Sequence, residues 1–310
     1  MPQCKFPKAV VILMCLALMA IALNQANAQD TRHIKGELKI PEQGHKQILI
    51  LADGSRMIGA ITEISENEVI LTGDFGETKI PIGSIKEIKD VEAASIKGDG
   101  DYWFPDPNRT RLYFGPTGYM LDRGKGYFAD FYLFFPGFAY GLTNNISIGG
   151  GMSIFPGVDF DKQIFFFTPK IGVGNWNKLG VAAAAIIVRV PVVNIFEDEE
   201  DESSKWVGVL FGTGTYGSQN AHATFGLGYG FAAGELADKP AVLLGGQLRT
   251  SRRMALVTEN WIFPEVDNPL VSYGVRFLGE GLSVDLALVN VLSEDAIFPG
   301  LPYIDFVWSF

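Results

Sequence analysis

The last ten residues, 301–310, read LPYIDFVWSF and decide the fold class of the chain. Counted back from the end in steps of two, the side chains are aromatic or apolar: Phe310, Trp308, Phe306, Ile304 and Pro302. The positions between them are mostly polar or small. Alternation with a period of two is typical of a β-strand, in which successive side chains point to opposite faces. The sequence therefore predicts a final strand with one continuous apolar and aromatic face.

This ending resembles the C-terminal signature of the outer-membrane β-barrel proteins of Gram-negative bacteria, a terminal Phe preceded by apolar residues at alternate positions. The resemblance implies an all-β protein with a transmembrane antiparallel barrel in the cell outer membrane. It also implies contact with outer-membrane lipids, lipopolysaccharide and the barrel-assembly machinery. The side chains of the implied assembly signal are Phe310, Trp308, Phe306 and Ile304.

Residues 1–28 are predicted to be a secretory signal peptide. A basic start precedes an apolar run over 9–23 and an Ala-Asn-Ala cleavage site at 26–28. The apolar run is too short for a good membrane-spanning helix. A lipoprotein anchored through Cys15 is the alternative, but the apolar run continues past that cysteine.

Composition excludes several classes of function. Cys4 and Cys15 are the only cysteines, so a chain cleaved after residue 28 has no disulfide, thiol nucleophile or thiolate metal site. Lys5 and Lys8 also lie in the leader, which leaves 23 basic against 35 acidic residues and a net charge of −12. This balance argues against nucleic acid as a partner. We predict no cofactor and no metal.

Residues 29–95 form a region of their own, rich in Ile, Lys and Glu, with Phe75 as its only aromatic residue. Short alternating segments separated by turn residues predict five strands. The pattern is similar to that of Sm-like small β-barrels, and we predict a small periplasmic β-barrel or roll. Two roles remain open: a scaffold, or an exposed strand edge that pairs with an extended segment of a periplasmic protein.

Residues 96–108 are predicted to be a linker, because they are rich in Gly, Asp and Pro. From residue 109 to 310, glycines and aromatics become frequent and segments of about ten residues alternate in polarity, which is typical of a membrane barrel. We predict about twelve strands, the even number that a bacterial barrel requires. They lie near 109–116, 126–140, 144–155, 163–174, 178–190, 205–217, 219–231, 240–250, 253–263, 270–279, 281–291 and 300–310.

The predicted connections alternate between short and long from the second strand onward. Barrels of this class have short periplasmic turns and longer outer loops. The alternation therefore predicts that both ends of the barrel, and with them the N-terminal domain, lie on the periplasmic side.

Several charged side chains are predicted to face the lumen. Arg276, Asp285 and Asp305 lie on three consecutive strands, so we expect them to meet. They either form an ion-pair network that braces the interior, since isolated charges there are costly, or a constriction that selects ions. The remaining predicted inner charges are Arg109, Arg111, Asp130, Lys170, Arg189, Arg249 and Glu259.

His222 and Thr224 resemble the His-x-Ser arrangement of the outer-membrane phospholipase, a twelve-stranded barrel that hydrolyses lipids. A hydroxyl nucleophile needs an adjacent, oriented base. Here the hydroxyl belongs to a Thr, and both side chains are predicted to face the lumen near the periplasmic turn. We therefore predict a polar lumen residue and no enzyme. The acidic run FEDEEDESS at 196–204 predicts a solvated outer loop, with divalent-cation binding as the alternative.

Two classes of function follow from this architecture. In the first, the barrel is a porin-like channel that transports small solutes and carries a periplasmic accessory domain. In the second, the lumen is closed and the protein is a structural, assembly or binding component. A lipid-acting enzyme ranks third. A wide, water-filled lumen favours the first class, and interlocked charge pairs that fill it favour the second.

Overall fold

The computed structural model describes residues 34–74, 76–98, 100–176, 178–191, 205–232, 234–263, 268–293 and 299–310. These residues form two compact all-β units, divided between Tyr102 and Trp103. No helix in the described ranges is long and apolar enough to cross a membrane. The predicted signal peptide and the acidic run at 196–204 lie outside the described residues.

The N-terminal unit is a five-stranded antiparallel sheet with the order β4-β3-β2-β1-β5. Its strands are β1 (His45–Leu51), β2 (Arg56–Ile64), β3 (Glu68–Gly73), β4 (Gly76–Pro81) and β5 (Ile85–Glu92). A single 3₁₀ turn, Ile82–Ser84, joins β4 to β5. Alternate apolar residues of the strands, such as Leu49, Ile61 and Val69, form the buried core. Period-two patterning between turn residues is therefore sufficient to build this sheet.

The second unit is a closed antiparallel barrel. Its strands are β6 (Gly126–Phe131), β7 (Phe135–Thr143), β8 (Ile146–Met152), β9 (Phe165–Phe167), β10 (Lys170–Trp176), β11 (Leu179–Val190), β12 (Lys205–Gly217), β13 (Ala221–Ala232), β14 (Glu235–Leu236), β15 (Ala241–Ser251), β16 (Met254–Ile262), β17 (Leu270–Leu278), β18 (Leu282–Val291) and β19 (Leu301–Ser309). The two-residue β14 only pairs with the end of β13. β9 and β10 keep one register against both β8 and β11, so they are one strand interrupted at Pro169. The wall thus has twelve strands.

The last strand closes the barrel by pairing with β6. Beyond the end of β19, the backbone of Phe310 exchanges two hydrogen bonds with Gly126, at 2.9 and 3.1 Å. A Cβ on Gly126 would lie 2.8 Å from the Phe310 ring, so the absence of a side chain leaves room for this aromatic group. The C-terminal residue therefore belongs to the closing seam.

The two faces of the wall differ in composition. On β18, Leu282 and Leu286 face outward and are exposed, whereas Ser283 and Asp285 face inward and are buried. The outer face is apolar, and exposed aromatic residues mark both of its ends. Trp176, Tyr216 and Trp308 lie near the short turns, and Trp206, Tyr229 and Tyr273 lie near the long connections.

The strand predicted at 109–116 is absent from the wall, and the strand predicted over 126–140 is two strands, β6 and β7, joined at residues 132–134. Tyr132 and Leu133 in this tight turn have φ values of 54° and 64°, a backbone conformation that the sequence pattern does not reveal. The two differences cancel in the strand count. Elsewhere the predicted alternation of connections is present: the turns at 144–145, 177–178, 218–220, 252–253 and 279–281 are short and share one end of the barrel.

Two predicted inner charges face outward instead. Asp130 pairs in register with the outward Phe306, and its neighbour Phe131 points into the lumen. Arg189 pairs with the exposed Trp206, and its guanidinium lies 5.5 Å from the centre of the Phe165 ring. Both predictions were wrong because they assumed that aromatic residues face lipid and charged residues face the lumen.

Candidate functional site: a plug inside the barrel

Residues 103–125, which precede the first wall strand, are called the plug here; most of 104–121 is buried or half-buried inside the barrel, whereas 122–125 are exposed. Asn108, Leu112, Tyr113 and Thr117 of the plug are fully buried. Their neighbours are inward side chains of strands on several sides of the wall. At Gly118 a Cβ would lie 2.0 Å from the carbonyl oxygen of Gly180, so only glycine lets the plug approach β11 this closely. The segment predicted as a linker and first strand therefore occupies the lumen.

The guanidinium of Arg276 connects the plug to the wall through all three of its nitrogen atoms. Within the wall, Nε and Nη2 donate to the two carboxylate oxygens of Asp285, each at 2.8 Å. Nη1 also donates to Gln247 Oε1 at 3.0 Å. Such a planar, bidentate pair is among the stronger hydrogen-bond arrangements in proteins.

Towards the plug, the same guanidinium donates to one carboxylate and two backbone carbonyls. The distances are 3.2 Å from Nη1 to Asp106 Oδ2, 3.3 Å from Nη1 to Asn108 O, and 2.7 Å from Nη2 to Leu112 O. Asp106 also accepts the backbone N–H of Asn108 at 2.8 Å. Burial alone would raise the pKa of the Asp106 carboxyl, but the Arg276 charge and these hydrogen bonds hold that pKa below its ordinary value.

A second ion pair joins Arg111 of the plug to Asp305 of β19. The Arg111 guanidinium also donates to the carbonyl of Tyr113 and lies 4.6 Å from the centre of the Phe131 ring. Its Nε is buried and has no hydrogen-bond acceptor among the described residues. Asp305 therefore pairs with the plug rather than with Arg276, its predicted neighbour.

Glu259 of β16 binds the tip of the plug without a basic side chain in hydrogen-bond contact among the described residues. Its carboxylate accepts the backbone N–H groups of three consecutive plug residues, 113–115, at 2.7 to 3.0 Å. It also accepts the indole N–H of Trp261 at 2.7 Å. Successive amides that converge on one anion form a nest, here filled by a carboxylate of the protein itself.

The base of the plug is held near the short turns. Arg249 donates to the carbonyl of Phe104 at 2.7 Å and lies over its ring. Lys170 Nζ donates to the carbonyls of Thr110, at 3.0 Å, and Tyr119. The plug therefore contacts the wall from its entry to its tip.

His222 and Thr224 do not form the arrangement needed for hydrolysis. The Thr224 hydroxyl lies 2.7 Å from that of Thr215, which accepts the N–H of Gly118. His222 packs edge-on against the ring of Tyr119, and its Nδ1 has no hydrogen-bond partner in the described chain. Both side chains therefore support the plug, and no described hydrogen bond joins one to the other.

The space that the plug leaves in the lumen is apolar. One cavity of about 330 Å³ lies between the plug and strands β6–β11, and Phe114, Phe131, Phe166 and Ile186 are part of its lining. A second, of about 640 Å³, lies at the end with the long connections. Both are lined by Phe114 at the tip of the plug. The interior of a membrane barrel is ordinarily polar, so these cavities are a departure from the class.

Sequence reasoning named Arg276, Asp285, Asp305, Arg249 and Glu259, and the structure places all five on the inner face against the plug. It missed the plug residues that they bind. Asp106 and Asn108 lie in a stretch whose Gly, Asp and Pro content is typical of a linker. Local composition does not distinguish such a linker from a segment that enters a barrel.

No protein-family model matches the chain, and no curated protein is similar to it in sequence. Among solved structures, a loop-deletion mutant of OmpT, an outer membrane protein of Vibrio cholerae, is 11% identical with a TM-score of 0.33, over 86% of this chain and 96% of that one. A mutant of the Rh. blastica porin is 10% identical with a TM-score of 0.30, over 86% and 97%. OmpF of Salmonella typhi, in complex with daunomycin, is 9% identical with a TM-score of 0.30, over 86% and 95%. Similarity at this level assigns neither a family nor an activity to the chain.

Proposed function

We propose that this protein is an outer-membrane β-barrel whose lumen is closed by its own plug, and that it works as a membrane-anchored binding component rather than as an open pore. The observation that carries the proposal is the arrangement around Arg276. Its buried guanidinium makes six hydrogen bonds, three of them to the plug. Removing the plug would leave this cation and Glu259 without those partners, at a cost typical of broken buried pairs.

The outer face supports a membrane location. Exposed aromatic residues lie at both ends of the wall, and aliphatic residues such as Leu256 and Leu286 lie between them. Bands of aromatics on either side of an apolar belt are characteristic of membrane barrels. A closed barrel also satisfies the backbone hydrogen bonds of its strands, which a lipid environment requires.

Orientation follows from the connections. The short turns and both ends of the barrel lie at one end, which corresponds to the periplasmic side in this class. On this basis the N-terminal sheet lies in the periplasm. Among the described residues its strand β4 pairs on one side only, with β3, so its other edge supports pairing with an extended segment of a periplasmic protein. Lipopolysaccharide and lipids surround the outer face.

The test is single-channel conductance in a planar bilayer. We expect the folded chain, produced without residues 1–28, to give no conductance steps, because buried contacts hold the plug at its base, middle and tip. A variant in which residues 106–118 are replaced by a Gly-Ser linker of equal length should give steps. Heat-modifiable mobility on a gel verifies folding in both samples.

Reproducible steps from the unmodified chain would contradict the proposal and favour a small-solute channel. The conductance of the unmodified chain tests the closed lumen even where the linker variant fails to fold, because it does not depend on that variant. Steps that appear only in the linker variant identify the plug as the barrier.

A further inference from the structure

We propose that the cavity between the plug and strands β6–β11 binds a single-chain amphipathic anion, a molecule with an apolar tail and one carboxylate. The proposal rests on the plug remaining in the lumen, since plug residues form one wall of the cavity. It goes further by naming a ligand class and the residues that recognise it.

The size and the lining of the cavity indicate an apolar tail. Its volume of about 330 Å³ falls within the range of about 300–1,000 Å³ that is typical of small-molecule sites. Phe114 and Leu121 of the plug and Phe131, Phe166 and Ile186 of the wall form part of its lining. Such a surface gains from burying hydrocarbon and offers few hydrogen bonds to water.

Two buried cations on the same lining indicate an anionic head. Lys170 is 7% exposed, and it forms no ion pair with any described carboxylate. Its ammonium donates to two plug carbonyls, which leaves the third N–H without a described acceptor. Arg111 is 6% exposed, and its Nε also lacks an acceptor in the described chain.

Of these two cations, only Lys170 lacks a carboxylate partner among the described residues, since Arg111 has one in Asp305. Asp305 pairs with Arg111, and Asp285 is engaged by Arg276. On the plug, the described carboxylate partner of Arg109 is the exposed Asp122 at 3.5 Å. A ligand carboxylate would pair with the Lys170 ammonium and accept its third N–H.

A second apolar cavity adjoins the first towards the end with the long connections. The second cavity, of about 640 Å³, shares Phe114, Ile186 and Val188 with the first and reaches Trp261 and Phe263 near the barrel mouth. The two cavities are therefore neighbours along the inner face of β11, where Ile186 and Val188 line both.

The experiment measures binding of radiolabelled dodecanoate to the full mature chain in lipid nanodiscs, with empty nanodiscs subtracted. A photoreactive diazirine analogue of the same acid maps the contact by peptide sequencing. We expect saturable binding and labelling of residues on the plug and on β6–β11. Dodecanol, which lacks the charge, should bind at least about tenfold more weakly, as expected for loss of a charge-assisted hydrogen bond.

Three variants separate the possible outcomes. Lys170→Met should weaken dodecanoate binding by roughly 10- to 100-fold and leave dodecanol binding nearly unchanged. Ile186→Trp fills the cavity, keeps Lys170, and should abolish binding of both. Ile171→Trp, on the outer face of the neighbouring strand, is the matched control and should bind as the parent does.

Binding no greater than that of empty nanodiscs, or labelling confined to outward residues, would overturn the inference. So would equal affinities for the acid and the alcohol. If Lys170→Met fails to fold, two measurements still test the ligand site. They are the comparison of dodecanoate with dodecanol in the parent chain and the binding of both to Ile186→Trp. A channel-forming parent that nevertheless binds dodecanoate would refute the closed lumen and retain the ligand site, so the two proposals fail separately.

Discussion

Replacing Asp106 by Asn should loosen the plug without disturbing the wall. The carboxylate of Asp106 lies 3.2 Å from Arg276 Nη1, and both side chains are 1% exposed or less. The substitution keeps the size of the side chain, but its single amide oxygen replaces only one of the two carboxylate oxygens. Arg276 Nη1 therefore keeps a neutral acceptor when that oxygen faces it, and the N–H of Asn108 then loses its own. The bidentate pair between Arg276 and Asp285 remains.

The magnitude follows from the loss of charge at one end of this contact. A hydrogen bond to a charged group contributes about 1.5–3 kcal/mol and a neutral one about 0.5–1.5 kcal/mol. The difference, about 1–2 kcal/mol, raises the equilibrium constant for plug opening roughly 5- to 30-fold. Because Gln247 and Asn108 remain acceptors for the same nitrogen, the lower part of this range is the closer expectation.

The assay follows the reactivity of a thiol placed at Thr117, which is fully buried in the plug. A chain without its leader has no other cysteine, so Thr117→Cys gives a single reporter whose modification rate tracks the open fraction. The matched control is Asp122→Asn, another Asp–Arg pair of the plug. The Asp122 side chain is 69% exposed, and an exposed pair contributes no more than about 1 kcal/mol. Equal rates in the two variants would refute the reasoning.

Two further predictions use the same protein. The pKa of Asp106 in the folded protein lies below its ordinary value. The stabilisation that its carboxylate gives to the closed plug is therefore present above a pH of about 4 and is lost as the pH falls through the folded pKa. Relative to the same thiol in the denatured chain at each pH, the reporter thiol should therefore react faster in acid, and less so in Asp106→Asn. An identical pH profile of this ratio in both chains would contradict the prediction. Phe310→Ser removes the ring that covers Gly126 at the closing seam and should reduce the heat-modifiable fraction after refolding severalfold, whereas Ser309→Ala should not. Equal folded yields would show that the ring does not stabilise closure.

The wall could be predicted because its signal is local. Over 282–288 of β18 every second residue is apolar and the residues between are small or polar, and over 302–308 of β19 every second residue is apolar or aromatic, so two neighbouring strands define both faces. Turns such as 252–253 add a second local signal. Where these coincide, the predicted strands and the described strands agree to within a few residues.

The plug could not be predicted, because its partners are distant in sequence. Residues 109–115 read RTRLYFG, which alternates like a strand, but their backbone groups bond to Glu259 and Arg276 more than 140 residues away. A sequence pattern indicates which face of a segment is apolar. It does not show whether the backbone of that segment will hydrogen-bond to a neighbouring strand or to a distant side chain. The strand count was nevertheless right, because the extra strand at 109–116 offset the turn missed at 132–134.

The position of the apolar cavity does leave a trace in the sequence. A strand between lipid and a polar lumen alternates, whereas a strand with lipid on one face and an apolar cavity on the other must be apolar on both. In β11 the alternation disappears over 186–188, read IIV, and in the facing β9 over 165–167, read FFF. Ile186, Val188 and Phe166 of these runs are the inward members, and they line the cavity. Loss of the period-two alternation within an otherwise regular barrel thus indicates an apolar inner surface. The two runs locate the part of the lumen in which we propose that the ligand binds.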